Sequence, residues 1–188
     1  MDVHTLQHKA FETSNGNGHS FQSILESPDV PKVLFDVRND SDTLFSLFRV
    51  KLQCLVDLQI LEFATRQPRG KFVYGLAKCI ENESLLLDLF SKDWNKVKEE
   101  GRKLFTPGKG GRYQVFNERP LPKAHVDYCE QDVLLMLGLL GLYAQRLNPG
   151  WAKQRQATID ARIDLSQSFA FNGKGPHMAE GPVFKPAK

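Results

Sequence analysis

The sequence predicts an α/β fold because two short strand–helix pairs follow each other along the chain. The run KVLFDV, residues 32 to 37, has the Val, Leu and Phe of a buried strand, and the helical NDSDTLFSLFR follows with Asn39 as its predicted cap. CLVDL, which starts at Cys54, then repeats the pattern before the helical LQILEFATR. Strands that alternate with helices at such short intervals are typical of an α/β sheet.

The flanking segments complete the predicted order of elements. MDVHTL at the N-terminus has a β-type composition, and FQSILES, residues 21 to 27, is a short helix candidate. Residues 75 to 105 are predicted to be helical and to end in the glycine-rich loop TPGKGGR. A long, strongly apolar helix is predicted after RPLP and continues to residue 147.

Composition divides the chain into a domain and a tail. Of the 188 residues, 41% are hydrophobic, which is enough for the core of one domain over residues 1 to 147. The remaining residues, 148 to 188, hold six Lys or Arg against three acids and have little periodicity. We therefore expect this basic tail to be largely extended or disordered.

The cysteines and the lengths of the apolar runs indicate where in the cell the protein is expected. Cys54, Cys79 and Cys129 form no C-x-x-C pair, which argues against a structural zinc site and favours a reducing environment. No signal pattern is found, and no apolar run reaches the roughly 18 residues of a membrane span. The sequence thus predicts an intracellular protein, cytoplasmic or nuclear, without a membrane partner.

Acidic residues gather where the first predicted strand ends. Asp36, Asp40 and Asp42 lie there and in the first turn of the next helix, the edge at which open α/β sheets bind ligands. Helical spacing from Asp40 to Leu44 places Asp40 on the inward face, whereas Asp42 is rotated away. Acids also suit any helix N-terminus, so this segment by itself leaves a purely structural role open.

A second pair of polar residues interrupts the last apolar helix. Tyr128 and Asp132 lie within about 40° of each other on a helix, on the side that Leu135 and Leu139 continue. An acid on that side requires a partner, either a ligand, the helix dipole or a buried arginine. His125, one turn earlier, is expected at the surface or in a helix cap.

Basic residues are frequent just before this helix. Residues 92 to 119 hold eight Lys or Arg against four acids, and Lys109 and Arg112 lie in the glycine-rich loop. These two side chains are candidates for contacts with a nucleic-acid backbone, although a solvated basic face has the same composition.

Together these segments resemble the DEDDy class of 3′–5′ exonucleases, the ribonuclease D-like family. The second motif of that family is matched by DVRNDSDTLF, with Asp40 and Leu44, and by VDLQ at residues 56 to 59. Its third motif, Y-x-x-x-D after R-P-L-P, is matched by RPLPKAHVDYCEQDV. Four local patterns occur in the family's order between residues 31 and 147, and they identify residues 1 to 147 as a partial 3′–5′ exonuclease-like domain.

The resemblance implies a ribonuclease H-like mixed sheet flanked by helices, and hydrolysis of phosphodiester bonds from the 3′ end of RNA or DNA. It also implies two Mg²⁺ or Mn²⁺ ions roughly 3.5–4 Å apart, with Asp40 and Asp132 as metal ligands. Tyr128 would then orient the attacking water. Asp40, Tyr128 and Asp132 are accordingly the expected catalytic residues of an enzyme.

One family motif has no counterpart in this sequence. The first motif of the family, D-x-E on the first strand, does not occur before Asp40, so the first strands are expected to be missing and activity is expected to be weak or absent. The alternatives are a catalytically silent nucleic-acid-binding or scaffolding module of the same fold, and a plain protein-interaction domain.

Overall fold

The computed structural model describes residues 2–83 and 91–184, except for the side chains of residues 91–93. The chain divides into two compact units. The first combines Met1–Leu76 with Leu142–Lys188, and the second is Ala77–Gly141. The residues after position 147 therefore belong to the same unit as the N-terminal part of the chain.

The N-terminal residues form short helices, and the β-type run predicted there is wrong. The carboxylate of Asp2 accepts hydrogen bonds from the backbone N–H (3.3 Å) and the hydroxyl (2.7 Å) of Thr5. This cap satisfies groups that a helix start leaves unpaired, and it outweighs the β preference of Val3 and Thr5. The helices are α1 (Val3–Leu6), α2 (Lys9–Glu12) and α3 (Phe21–Leu25).

Two parallel strands form the sheet in the described part of the first unit. They pair in register from Lys32 opposite Leu55 to Leu34 opposite Asp57, and the helix between them makes the crossover that parallel strands require. The predicted α/β alternation is confirmed, with two parallel strands where a mixed sheet was expected. The elements are β1 (Lys32–Leu34), α4 (Val37–Phe48), β2 (Leu55–Asp57) and α5 (Leu58–Thr65).

Helices make up the second unit, and the long helix predicted at its end is divided in two. The division falls at Leu135, whose ψ of −5° departs from the helical value of about −42°. Among the described residues no helix is long and apolar enough to cross a membrane. The helices are α6 (Leu76–Asn82), α7 (Ser91–Phe105), α8 (Lys123–Leu134) and α9 (Met136–Arg146), the last of which continues into the first unit.

The C-terminal residues carry a further helix, α10 (Ala152–Ser166), where we expected extended or disordered chain. It packs against α4 and α5 and buries Ile159 in the main core of the first unit. The prediction failed because another inward residue of α10 is Arg162, a charge that masks the helical pattern of apolar residues. Further buried members of this core are Val37, Leu52, Leu55, Ile60, Phe63, Trp151 and Phe184.

Candidate functional site

Asp40 lies in the first turn of α4, directly after β1, as the sequence predicted. The helix begins at Val37 with Asp36 in the N-cap position, so the predicted cap at Asn39 is wrong. Asp36 has the left-handed backbone φ of 57°, which aspartate tolerates better than most residues. The side chain of Asp40 is exposed to solvent, whereas helical spacing predicted an inward position.

The neighbouring strand, not the N-cap residue, caps α4. Asp57 at the end of β2 is fully buried, and its carboxylate accepts hydrogen bonds from the backbone N–H groups of Asp36 (3.0 Å) and Val37 (3.4 Å). It also accepts from the backbone N–H of Gln59 (3.0 Å), in the first turn of α5. One carboxylate therefore satisfies the first N–H groups of two helices and fixes the turn that carries Asp40.

Two buried arginines balance the acids at this turn. Arg162 on α10 donates to Asp57 Oδ2 over 2.7 Å, and its Nη1 lies 3.5 Å from Asp36 Oδ1. Arg38 binds Asp36 through two hydrogen bonds of 2.6 and 2.7 Å, the two-pronged geometry in which guanidinium pairs best with carboxylate. The two arginines and the two aspartates have a net charge of zero, so these four residues have no excess charge that would attract an ionic ligand.

Asp40 adds an unbalanced negative charge beside this group. Although Asp40 is exposed, the surrounding protein removes part of the hydration of its carboxyl and raises its pKa above the ordinary value, and the carboxylates of Asp36 and Asp57 raise that pKa further. Among the described residues no ion pair neutralises Asp40. The carboxylate of Asp40 is therefore available to bind a cation.

A C-terminal strap, residues 172–184, holds the start of α4 from outside. Arg38 Nη2 donates to the carbonyl oxygen of Met178 over 2.7 Å, and Asn39 Nδ2 lies 3.5 Å from that of Gly173. The strap then pairs with an earlier segment, since the N–H of Val73 donates to the carbonyl oxygen of Ala179 (2.9 Å). The turn that carries Asp40 thus depends on residues far along the chain.

Tyr128 and Asp132 lie one turn apart on α8, as the Y-x-x-x-D spacing predicted. The partner of Asp132 is Lys98 of α7, whose Nζ donates to Asp132 Oδ1 over 2.5 Å. The same Nζ lies 3.3 Å from the centre of the Tyr128 ring. The side chain of Asp132 remains 45% exposed, whereas that of Lys98 is 6% exposed. The alternative of a buried cationic partner is therefore realised, with lysine in place of arginine.

One face of α7 fits against this turn of α8. Trp94 Nε1 donates to the carbonyl oxygen of Gln131 over 2.8 Å. A Cβ atom on Gly101 would lie 2.7 Å from both Cβ and Cγ of Tyr128, so a larger residue does not fit there without movement. Trp94, Lys98 and Gly101 are spaced by four and three residues, which places them on the same side of α7.

Lys109 and Arg112 are exposed, and both are ion-paired within the second unit. Lys109 binds Glu99, and Arg112 Nη2 lies 2.7 Å from Glu118 Oε1. Pairs between exposed side chains are weak, because water screens both charges. The two cations are therefore only weakly held by their carboxylate partners.

The residues described do not complete a site for two divalent cations. Within residues 2–83 and 91–184, no three His, Cys, Asp or Glu side chains form a group that could hold a metal ion. Asp40 has the right chemistry, because Mg²⁺ and Mn²⁺ prefer carboxylate oxygen, but Asp132 already binds the ammonium group of Lys98. Of the two expected metal ligands, Asp40 therefore has no ion pair among the described residues, whereas Asp132 is bound by Lys98.

Comparison with known proteins shows the family of this chain. A family model described as 3′–5′ exonuclease matches residues 2–144, three quarters of the chain. The chain belongs to the 3′–5′ exonuclease family. No curated protein sequence matches this exonuclease-family chain.

Solved structures of Trypanosoma brucei RNase D share the fold of this exonuclease-family chain. The complex of RNase D with GMP matches with a TM-score of 0.68 and 20% identity, over 96% of this chain and 51% of that one. The complex with RNA U12 matches with a TM-score of 0.64 and 20% identity, over 99% and 55%. The chain thus spans about half the length of the RNase D chains. The expected ribonuclease H-like fold is confirmed.

Four buried residues of this chain have positions that the sequence did not predict. Arg162 and Lys98 are of residue types that are normally exposed, and Asp57 was predicted only as part of a motif. All three are buried. His125 is also buried, where a surface or capping position was expected, and its ring lies 5.0 Å from that of Phe116. A weak signal existed for Lys98, which follows Trp94 by one helical turn.

Proposed function

We propose that this chain acts on the 3′ end of nucleic acid as a 3′–5′ exonuclease domain that hydrolyses phosphodiester bonds. The observation that carries the proposal is the family match over residues 2–144, which includes both Asp40 and the Y-x-x-x-D turn. RNA is the proposed substrate, because RNase D, which has the same fold, has been solved in complex with RNA U12.

Asp40, Tyr128 and Asp132 are the residues proposed to act in hydrolysis. Water attacks the terminal phosphorus, and the 3′ oxygen of the preceding nucleotide leaves as the bond breaks. Tyr128 is proposed to orient the attacking water. Asp40 supplies an unbalanced negative charge, and Asp132 would supply a second one when Lys98 releases it. Members of this family generally use divalent metal ions, so the assay must include them.

The test is the degradation of a 5′-labelled single-stranded RNA in the presence of Mn²⁺. Hydrolysis from the 3′ end gives a ladder that shortens with time, whereas a 3′ label is released at once as a mononucleotide. We expect Asp40→Ala and Asp132→Ala to lower the rate at least ~100-fold, and Asp42→Ala on the same helix to retain it. Equal rates for the wild type and Asp132→Ala would remove Asp132 from the catalytic set.

A catalytically silent nucleic-acid-binding module is the second candidate, and one contact favours it. Lys98 already neutralises Asp132, so this half of the family's site carries its own cation. The silent module would bind the same RNA through Lys109 and Arg112 but give no ladder at any Mn²⁺ concentration. Fluorescence anisotropy with a labelled uridine 12-mer measures binding separately from hydrolysis and so distinguishes the two functions.

A further inference from the structure

Lys98 is the most deeply buried lysine that the described residues contain, and it is directed at an acid of the family motif. Its side chain is 6% exposed. Three contacts of its Nζ are to one turn of α8: Asp132 Oδ1 at 2.5 Å, the carbonyl oxygen of Tyr128 at 3.5 Å and the Tyr128 ring face, whose centre is 3.3 Å away. The centre of the Trp94 ring on α7 is farther away, at 5.9 Å.

These contacts explain why the ammonium group stays in place. A lysine ammonium is strongly hydrated in water, so its burial is unfavourable unless charge and dipoles replace the lost water. The carboxylate of Asp132 supplies the opposite charge, and the ring of Tyr128 supplies a negative face. Neighbours on either side along α7, Trp94 and Gly101, keep α7 close to this turn, so Lys98 has little room to move.

The position of Nζ bears directly on cation binding. Carboxylate oxygen binds Mg²⁺ or Mn²⁺ at roughly 2.1 Å, so an ion on Asp132 Oδ1 would lie no more than about 5 Å from Nζ. A dication and an ammonium group repel each other strongly at that distance, because the site is shielded from water on the Lys98 side.

We propose that Lys98 is the resident cation of Asp132 and excludes a divalent ion from that carboxylate unless it is displaced. The inference concerns a binding equilibrium, and it holds whether or not the domain hydrolyses nucleic acid. It assigns Lys98 a role in determining which cation Asp132 binds. Lys98 is thus a positioning residue that acts through Asp132.

Calorimetric titration of the full chain with Mn²⁺ tests the proposal. Lys98→Met removes the charge and keeps a side chain of similar shape, and we expect it to bind Mn²⁺ at least about tenfold more tightly than the wild type. Lys96→Met, an exposed lysine on the same helix, is the matched control and should leave the affinity unchanged. Adding Asp132→Asn to Lys98→Met should abolish the gain.

Unchanged or weaker Mn²⁺ binding by folded Lys98→Met overturns the proposal, as does a gain that survives Asp132→Asn. Circular dichroism establishes folding before titration, and Lys98→Gln replaces the methionine variant if that variant unfolds. A second comparison, between the wild type and Asp132→Asn, keeps Lys98 in place and tests the proposal independently. Asp132→Asn alone should not change the Mn²⁺ affinity, and a clear loss would mean that Asp132 binds the ion while Lys98 is in place.

Discussion

Arg162 donates a 2.7 Å hydrogen bond to the fully buried Asp57, although 105 positions separate the two residues in the sequence. This pair joins α10 to the end of β2. Because Asp57 also caps α4, the contact fixes the turn that presents Asp40 to solvent. The geometry of one candidate catalytic residue therefore depends on a helix at the other end of the chain.

Replacing Arg162 should destabilise the first unit strongly. Arg162→Met leaves the Asp57 carboxylate buried without a counter-ion, and removing one partner of such a pair destabilises by about 3 kcal/mol or more. Urea denaturation followed by circular dichroism measures the change. Arg155→Met on the same helix, whose side chain is less buried, should change the free energy of unfolding by less than about 1 kcal/mol. Equal stability of the two variants would contradict the role of the pair.

The raised pKa of Asp40 predicts a pH-dependent effect on stability. A carboxyl with a raised pKa binds its proton more tightly in the folded state, so folding loses stability as pH rises from the ordinary value of 3.8 through the folded pKa. Asp40→Asn avoids this loss. We expect the variant to melt at a higher temperature than the wild type at pH 7 and at nearly the same temperature at pH 3.

Thermal melts of both proteins across this pH range provide the measurement. Asp42→Asn removes the same charge from the same helix and controls for net charge. A difference between Asp40→Asn and the wild type that is the same at pH 3 and pH 7 would refute an electrostatic origin of the effect, because both forms carry no charge at position 40 under acidic conditions.

Gly101 should be essential for the position of Tyr128. The methyl group of Gly101→Ala would come within 2.7 Å of Cβ and Cγ of Tyr128, and the Cβ atom is bonded to the backbone and cannot rotate away. We expect a loss of about 1–3 kcal/mol in the free energy of unfolding and a large loss of exonuclease rate. At Gly108 an added Cβ has no neighbour within 4 Å, so Gly108→Ala should be nearly neutral. Chemical denaturation of the two alanine variants, side by side, decides the point.

Lys109 and Arg112 should contribute to RNA binding through charge alone. Each phosphate contact that is lost lowers the salt dependence of log K by about one unit, so Lys109→Gln and Arg112→Gln should each weaken binding and reduce that slope. Anisotropy titrations of a labelled uridine 12-mer between low and physiological salt give both quantities. Lys153→Gln on α10, an exposed position, is the control. An unchanged slope in both variants would leave the two cations without a role in binding.

The sequence predicted the family motifs and the elements that carry them. β1, α4, β2 and α5 have the expected types, and Asp40, Tyr128 and Asp132 lie on the expected helices, because apolar spacing determines such local structure. What it could not predict were the cationic partners of Asp57 and Asp132. Arginine and lysine are normally found at the surface, so the sequence gives no indication that Arg162 and Lys98 are buried. Each is buried because the fold brings an opposite charge next to it.

The unpredicted burial of Arg162 also explains why the helix among the C-terminal residues was not predicted. A helix is detected in a sequence by its apolar face, and α10 replaces part of that face with Arg162. The N-terminal failure has a different cause, since one capping contact from Asp2 to Thr5 decided between helix and strand. Both errors arise at polar residues, because Arg162 interrupts the apolar pattern of α10 and the contact between Asp2 and Thr5 favours a helix over a strand.

The dependence of Asp57 on Arg162 has a practical consequence for anyone who expresses this gene. The family match ends at residue 144, so a fragment trimmed to that match would encode every recognisable motif and yet omit α10 and the strap. Asp57 would then be a buried anion without its guanidinium, in a core that also lacks Trp151 and Ile159. The boundary of recognisable ancestry and the boundary of independent folding are different positions in this chain.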